Sequence, residues 1–264
     1  MTKMSDPLRI FDDGGATDVG KVRSNNEDSF LVRSDAGVWA VADGMGGHDA
    51  GAFASATVVN ALQAISGPGP VDDLLAHCRE QLAAANRHLL EVADMNGGIV
   101  IGATVAVLLA HEGYYACVWS GDSRIYLIRD GRISQLSRDH TEVAELIAEG
   151  VLSEEEALTW PRRNVITRAV GVHDELDLEI AQGVLQKGDV FVICSDGLTA
   201  HVKDAEILEH VRGNGAQSAC DELVALTMER GAIDNVTVVI MRYVPRGSTV
   251  VFPNGNVPLP RWGQ

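Results

Sequence analysis

Val38-Trp39-Ala40-Val41-Ala42-Asp43-Gly44-Met45-Gly46-Gly47 is an apolar run that stops on a carboxylate and a string of glycines. Its length and valine content read as a buried strand, and the Asp-Gly pair marks a sharp turn at the strand's end. Working outward, the same strand character recurs at 99–110, 114–120, 124–128, 190–195 and 236–243. Asp130-Gly131, between Ile128 and Ile133, is a hairpin signal.

Helical spacing occupies the gaps. Ala54, Val58, Ala61, Leu62 and Ile65 form one apolar stripe, and Leu75, Cys78, Leu82, Ala85, Leu89 and Val92 form another. Gly67-Pro68-Gly69-Pro70 breaks the chain between them, and a third helix is expected over 216–230. Strands come in blocks rather than alternating singly with helices. That pattern predicts an α+β fold, with helices covering a mainly antiparallel sheet or sandwich. One domain is expected over 16–244, after an N-terminal segment (1–15) and before a Pro- and Gly-rich, extended or mobile tail (245–264).

Hydrophobic residues make up 46% of the 264 positions, enough for a sizeable core. The net charge of −16, from 21 basic and 37 acidic residues, argues against a polyanionic partner such as nucleic acid. The longest apolar run, 103–110, is too short to span a bilayer, and 1–11 lacks a secretory apolar stretch. A cytoplasmic protein, away from the membrane, is expected. Cys78, Cys117, Cys194 and Cys220 lie far apart in sequence and read as reduced, buried thiols.

Acidic residues recur where strands end or sharp turns fall. Asp43 and Asp196 each close an apolar run and precede a glycine; Asp234-Asn235 opens one; Asp122 follows 114–121; Glu27-Asp28 precedes 29–32. Carboxylates at sheet rims can converge from distant parts of a chain, and then repel unless cations neutralise them. All-oxygen ligation suits Mg²⁺ or Mn²⁺. A lone Asp-Gly is usually only a turn; five such sites weaken that reading, though spacing alone leaves a calcium-binding protein open.

The motifs Arg23-Ser24-Asn25-Asn26-Glu27-Asp28, Val41-Ala42-Asp43-Gly44-Met45-Gly46-Gly47-His48, Gly102-Ala103-Thr104, Gly121-Asp122-Ser123-Arg124-Ile125-Tyr126, Cys194-Ser195-Asp196-Gly197-Leu198 and Asp234-Asn235-Val236-Thr237 follow one another in that order. This set resembles the bacterial type 2C, or PPM-family, metal-dependent protein serine/threonine phosphatases, over about residues 16–243. The resemblance implies a four-layer α/β/β/α sandwich of two antiparallel sheets, with a two-metal centre in a cleft at one end. By resemblance Asp43 bridges two Mn²⁺ or Mg²⁺ ions, Asp196 and Asp234 bind the first, and the Gly44 carbonyl binds the second. Asp122 helps to bind a third, weaker ion. Glu27 and Asp28 act beside the centre through water, and Arg23 grips the substrate phosphate. The implied reaction is hydrolysis of phosphoserine or phosphothreonine by a metal-activated bridging water, without a phosphoenzyme.

Two departures stand out. Met45 occupies the position that holds histidine in eukaryotic relatives, so His48 is the candidate for a direct proton role, with helix-start packing as the plain alternative. Ala52 replaces a glutamate common in bacterial relatives. A flap is expected over 141–165, with helices after Thr141 and Ser153 and with Trp160 as either a hinge or a substrate contact. Solitary bacterial members commonly oppose eukaryotic-like serine/threonine kinases, which points to that kinase, phosphorylated proteins and forkhead-associated signalling proteins as partners, with the phosphatase a monomer. A small-molecule phosphoesterase and a weakly catalytic phosphoprotein-binding module are the competing readings.

Overall fold

The computed structural model describes residues 11–47, 50–157, 159–162 and 164–244. Eleven strands among them form two sheets with antiparallel pairing throughout. One sheet runs β1 (Phe11–Asp18), β11 (Val236–Tyr243), β10 (Val190–Cys194), β7 (Arg124–Arg129), β8 (Arg132–Gln135). The other runs β2 (Asp28–Arg33), β3 (Val38–Gly46), β5 (Val105–His111), β6 (Tyr114–Ser120), β9 (Glu179–Val184), with β4 (Ile101–Ala103) on the end of β3.

Each buried layer has its own residues. Between the sheets lie Trp39, Leu108, Trp119, Ile125, Phe191 and Met241. The second sheet buries its other face against α1 (Ala50–Gln63) and α2 (Val71–Met95), through Val58, Leu62, Leu74, Leu82 and Leu89. The first does so against α6 (Asp204–Gly213) and α7 (Ala216–Glu229), through Ile207, Ala219 and Leu223. Central strands are therefore apolar on both faces, as their uninterrupted runs require. The α/β/β/α sandwich is the one expected.

Several details differ from the sequence reading. Ile99 and Val100 are exposed, and the strand run begins at Ile101 and is divided at Thr104. At the start of the α2 stripe Leu74, rather than Leu75, is fully buried. β1 starts at Phe11, inside the segment expected to precede the domain, because its backbone pairs with all of β11. The tail expected over 245–264 lies outside the described residues, as do His48 and Asp49. All four cysteines are free and buried, and burial pushes the Cys78 thiol up to about 12. Among the described residues no helix is long and apolar enough to cross a membrane.

The expected flap segment contains α3 (Glu142–Ala148) and α4 (Glu154–Ala157). Thr141 caps α3 by accepting the Ala144 N–H, and Gly150 follows it with φ +72°. Ser153 and Glu156 cap α4 reciprocally. The segment's ends meet at a bridge between Thr141 and Ile166.

Candidate metal centre

Antiparallel register decides which strand ends share a rim. Cys194, the last residue of β10, pairs with Val238 near the start of β11 and with Arg124 at the start of β7. Asp196, Asp234 and Asp122 therefore emerge at one end of the first sheet. In the second sheet Val105 pairs with Ser120, so the start of β5 and the end of β6 lie together, and β3 arrives there with Asp43. The turn 121–123 crosses from the second sheet to the first and carries Asp122 between them.

Asp28 lies opposite Asp43 across β2 and β3. Like charges directly opposite in a ladder destabilise it. Burial, then the charges of Asp28, Asp196, Asp122 and Asp234, hold the Asp43 carboxyl well above the usual carboxylate range. Burial pushes Asp28 up to about 6, although Thr237 and Ser195 hydrogen-bond to it, and pushes Asp122 up to about 7. Burial and Asp234 likewise raise Asp196. One carboxylate oxygen of Asp28 and one of Asp122 are buried without a hydrogen-bond partner.

The backbone beneath the rim is tightly specified. A side chain on Gly44 would collide with the carbonyl of Gly51, so this strand end can pass the start of α1 only as glycine. Gly121 has φ +114°, and a Cβ there would stand 2.6 Å from Cβ of Thr104. Thr104 joins the two turns: its Oγ1 accepts the Asp43 N–H at 3.1 Å and lies 2.7 Å from Oγ of Ser123. Asn235 performs a similar task, accepting the Glu27 N–H at 2.8 Å and donating to the carbonyls of Val19 and Asn25. Ser195 donates to Asp28 at 2.8 Å and accepts the Thr237 N–H.

Thr104, Asn235 and Ser195 stood inside the sequence motifs without a role of their own. Their signal was position beside an acidic residue; their function as struts needs the fold. Arg23 lies at the rim, about half exposed, with its guanidinium 2.7 Å from Asp234. Glu27 faces the start of α1, its carboxylate 2.6 Å from where a Cβ of Gly51 would sit. Trp160, within the expected flap segment, donates its Nε1–H to Glu142 at 3.3 Å.

Among the described residues no three His, Cys, Asp or Glu side chains form a finished ligand cage. The chemistry of the donor set still fits hard divalent ions: all donors are oxygen, two buried oxygens have no donor, and their charges raise one another's proton affinity.

The family model described as protein phosphatase 2C matches residues 20–226. The chain belongs to the protein phosphatase 2C family. Among protein phosphatase 2C relatives, the serine/threonine protein phosphatase PstP of Mycobacterium tuberculosis is 38% identical over 225 residues. That alignment covers 85% of this chain but only 43% of PstP, so the chain spans less than half of that relative. The structure of PppA, a key regulatory component of T6SS in Pseudomonas aeruginosa, superposes with a TM-score of 0.83 at 37% identity, covering 88% of this chain and 97% of that one. The PstP catalytic domain in complex with two manganese ions superposes with a TM-score of 0.81 at 35% identity, covering 89% and 99%.

Proposed function

We propose that this protein 2C-type phosphatase hydrolyses phosphoserine and phosphothreonine in proteins, using two Mn²⁺ or Mg²⁺ ions and a third, weaker one. The observation that carries the reading is the gathering of Asp28, Asp43, Asp122, Asp196 and Asp234 at one rim, where burial and then the neighbouring acids raise the carboxyls of Asp28, Asp43, Asp122 and Asp196. Asp43, Asp196 and Asp234, with the Gly44 carbonyl, would hold the two ions, and Asp122 the third. When bound, the ions supply a water nucleophile at neutral pH and offset negative charge on the phosphoryl group.

The chain's own groups do the rest. Arg23 is charged at any working pH and can exchange its Asp234 contact for two phosphate oxygens, because carboxylate and phosphate present similar bidentate edges. Glu27 and Asp28 order solvent beside the acids. His48 is proposed as a proton carrier, and Trp160 as part of a flap that governs access. The domain, which includes β1 from Phe11, is proposed to work as a monomer in the cytoplasm, and to oppose a eukaryotic-like serine/threonine kinase and act on forkhead-associated signalling proteins.

A manganese-dependent assay with p-nitrophenyl phosphate and a phosphothreonine peptide tests the reading. Turnover of both, abolished by chelation and restored by Mn²⁺, is the expected result. Turnover of p-nitrophenyl phosphate alone points to a small-molecule phosphoesterase, and peptide binding without turnover to a recognition module.

A further inference from the structure

His140 is 1% exposed and belongs to none of the acidic motifs, yet it holds both polar backbone groups of Gly121, the residue before Asp122. Its backbone N–H donates to the Gly121 carbonyl at 2.9 Å, and its Nδ1 accepts the Gly121 N–H at 3.1 Å. A backbone N–H can only donate, so Nδ1 carries no proton and the ring's proton is on Nε2. Nε2 faces Oε1 of Glu179 at 3.2 Å, an ion-pair distance without hydrogen-bond alignment. Glu179 is held in turn by Arg138 at 2.7 Å and Arg168 at 3.4 Å, and the imidazole stacks on Trp119.

The same residue roots the flap. The His140 carbonyl accepts the Thr167 N–H at 2.9 Å, and the next residue, Thr141, caps α3 and bridges to Ile166. The preceding residue, Asp139, grips Arg124 through both carboxylate oxygens, at 2.7–3.1 Å. Asp139 and His140 thus hold the turn 121–124 at both ends, and His140 alone also touches the flap's closing segment.

We propose that His140, as the neutral Nε2-protonated imidazole, is a positioning residue that fixes the Asp122 turn and the root of the flap as one unit. A proton on Nδ1 would set two N–H groups against each other and release the turn. Burial, with the charges of Arg168 and Arg138, lowers the affinity of His140 for a second proton, against the opposing pull of Glu179. The inference deepens the metal reading and rests on it for the consequence at Asp122.

Two substitutions separate the ring's two contacts. His140→Asn places an amide oxygen near the Nδ1 position and can still accept from Gly121. His140→Gln reaches toward Glu179 and leaves the Gly121 N–H buried and unpaired. In His140→Gln, calorimetric titration with Mn²⁺ should show the weakest site loosened about tenfold or more, with the two tight sites kept. Amide exchange at Gly121 and across 141–150 should rise about tenfold together, whereas His140→Asn should retain most of both. Equal loss in the two variants, or exchange rising at Gly121 without the flap, overturns the proposal. Nitrogen-15 NMR of the native ring should show the Nε2–H tautomer; the Nδ1–H tautomer overturns it even where a variant fails to fold. Asp122→Asn in the same titration keeps the two readings apart: unchanged Mn²⁺ binding there sinks the role of Asp122, while exchange still reports on His140.

Discussion

The two ends of the sandwich bury aspartates in opposite ways. Away from the metal rim, Asp189 has a side chain only 1% exposed. It takes Arg129 on both oxygens, at 2.8 and 2.7 Å, and also the Gln186 N–H at 2.7 Å. At the rim, Asp28 and Asp122 are buried too, but each leaves an oxygen unpaired, and burial raises both. A buried carboxylate supplied with its donors is scaffold. One left short of donors, among other acids, fits the proposed place in or beside a cation site.

The sharpest break between the ends is expected at Asp43. Asp43→Asn removes the acid that feels four others, so phosphatase activity should fall about a thousandfold, in line with several kcal/mol of lost metal stabilisation. Steady-state rates with Mn²⁺ check this, and full activity in metal-free buffer would contradict the two-metal reading. Next in size is Arg23→Ala. Loss of one charge-assisted phosphate contact should lower kcat/KM about tenfold to a hundredfold, mostly through KM. Unchanged kinetics would leave Arg23 as only the partner of Asp234.

Stability should separate the ends by sign. Asp189→Ala strands a guanidinium that is 28% exposed, and should cost about 2 kcal/mol and lower Tm by about 5 °C without altering Mn²⁺ binding. Asp122→Asn removes an unmatched buried charge, so the metal-free protein should keep or gain Tm while losing turnover. The pH dependence follows from the same groups. Asp28 and Asp122, raised to about 6 and about 7, bind protons in the folded state that the unfolded chain has already released. Stability of the chelated protein should therefore fall as pH rises from about 4 to about 7, and saturating Mn²⁺ should flatten that slope. Thermal melts with and without chelator measure it, and a slope of opposite sign would mean that the acids are compensated within the chain.

The central strands were legible because burial on both faces writes an uninterrupted apolar run, as in β3 and β5. The acidic positions were legible because each sits at such a run's end. β1 was not: Phe-Asp-Asp-Gly-Gly-Ala-Thr-Asp is poor strand sequence, rescued by tertiary contacts. Asp13 accepts the Trp39 indole N–H, Asp12 accepts the Ala216 N–H, and a Cβ on Gly15 would stand 2.6 Å from the Phe30 ring. β9 was missed because an edge strand with half-buried and exposed residues in alternation carries too little apolar signal. Asp139 and His140 were invisible for a different reason. Their partners, Arg124 and Gly121, lie 15 and 19 residues away in sequence, and only the meeting of the 121–124 turn with the flap root gives them work.

The smallest expected effect lies in the flap segment, where the pairing among the described residues is local. Glu142 accepts from Trp160 on one oxygen at 3.3 Å and pairs with Arg162 on the other at 2.8 Å, joining the two halves of the segment. Arg162 is 65% exposed, so its pair contributes little, and the indole contact is a single weak hydrogen bond with some packing. A flap governs access and docking rather than the chemistry at the acids. Trp160→Ala should therefore lower kcat/KM for a phosphoprotein by about threefold to tenfold while p-nitrophenyl phosphate turnover stays within about twofold. Trp160→Phe, which keeps a ring but no N–H, should fall between. If both substrates decline together and Mn²⁺ binding weakens with them, Trp160 supports the metal rim itself, and the division between a paired flap and an unpaired rim does not hold.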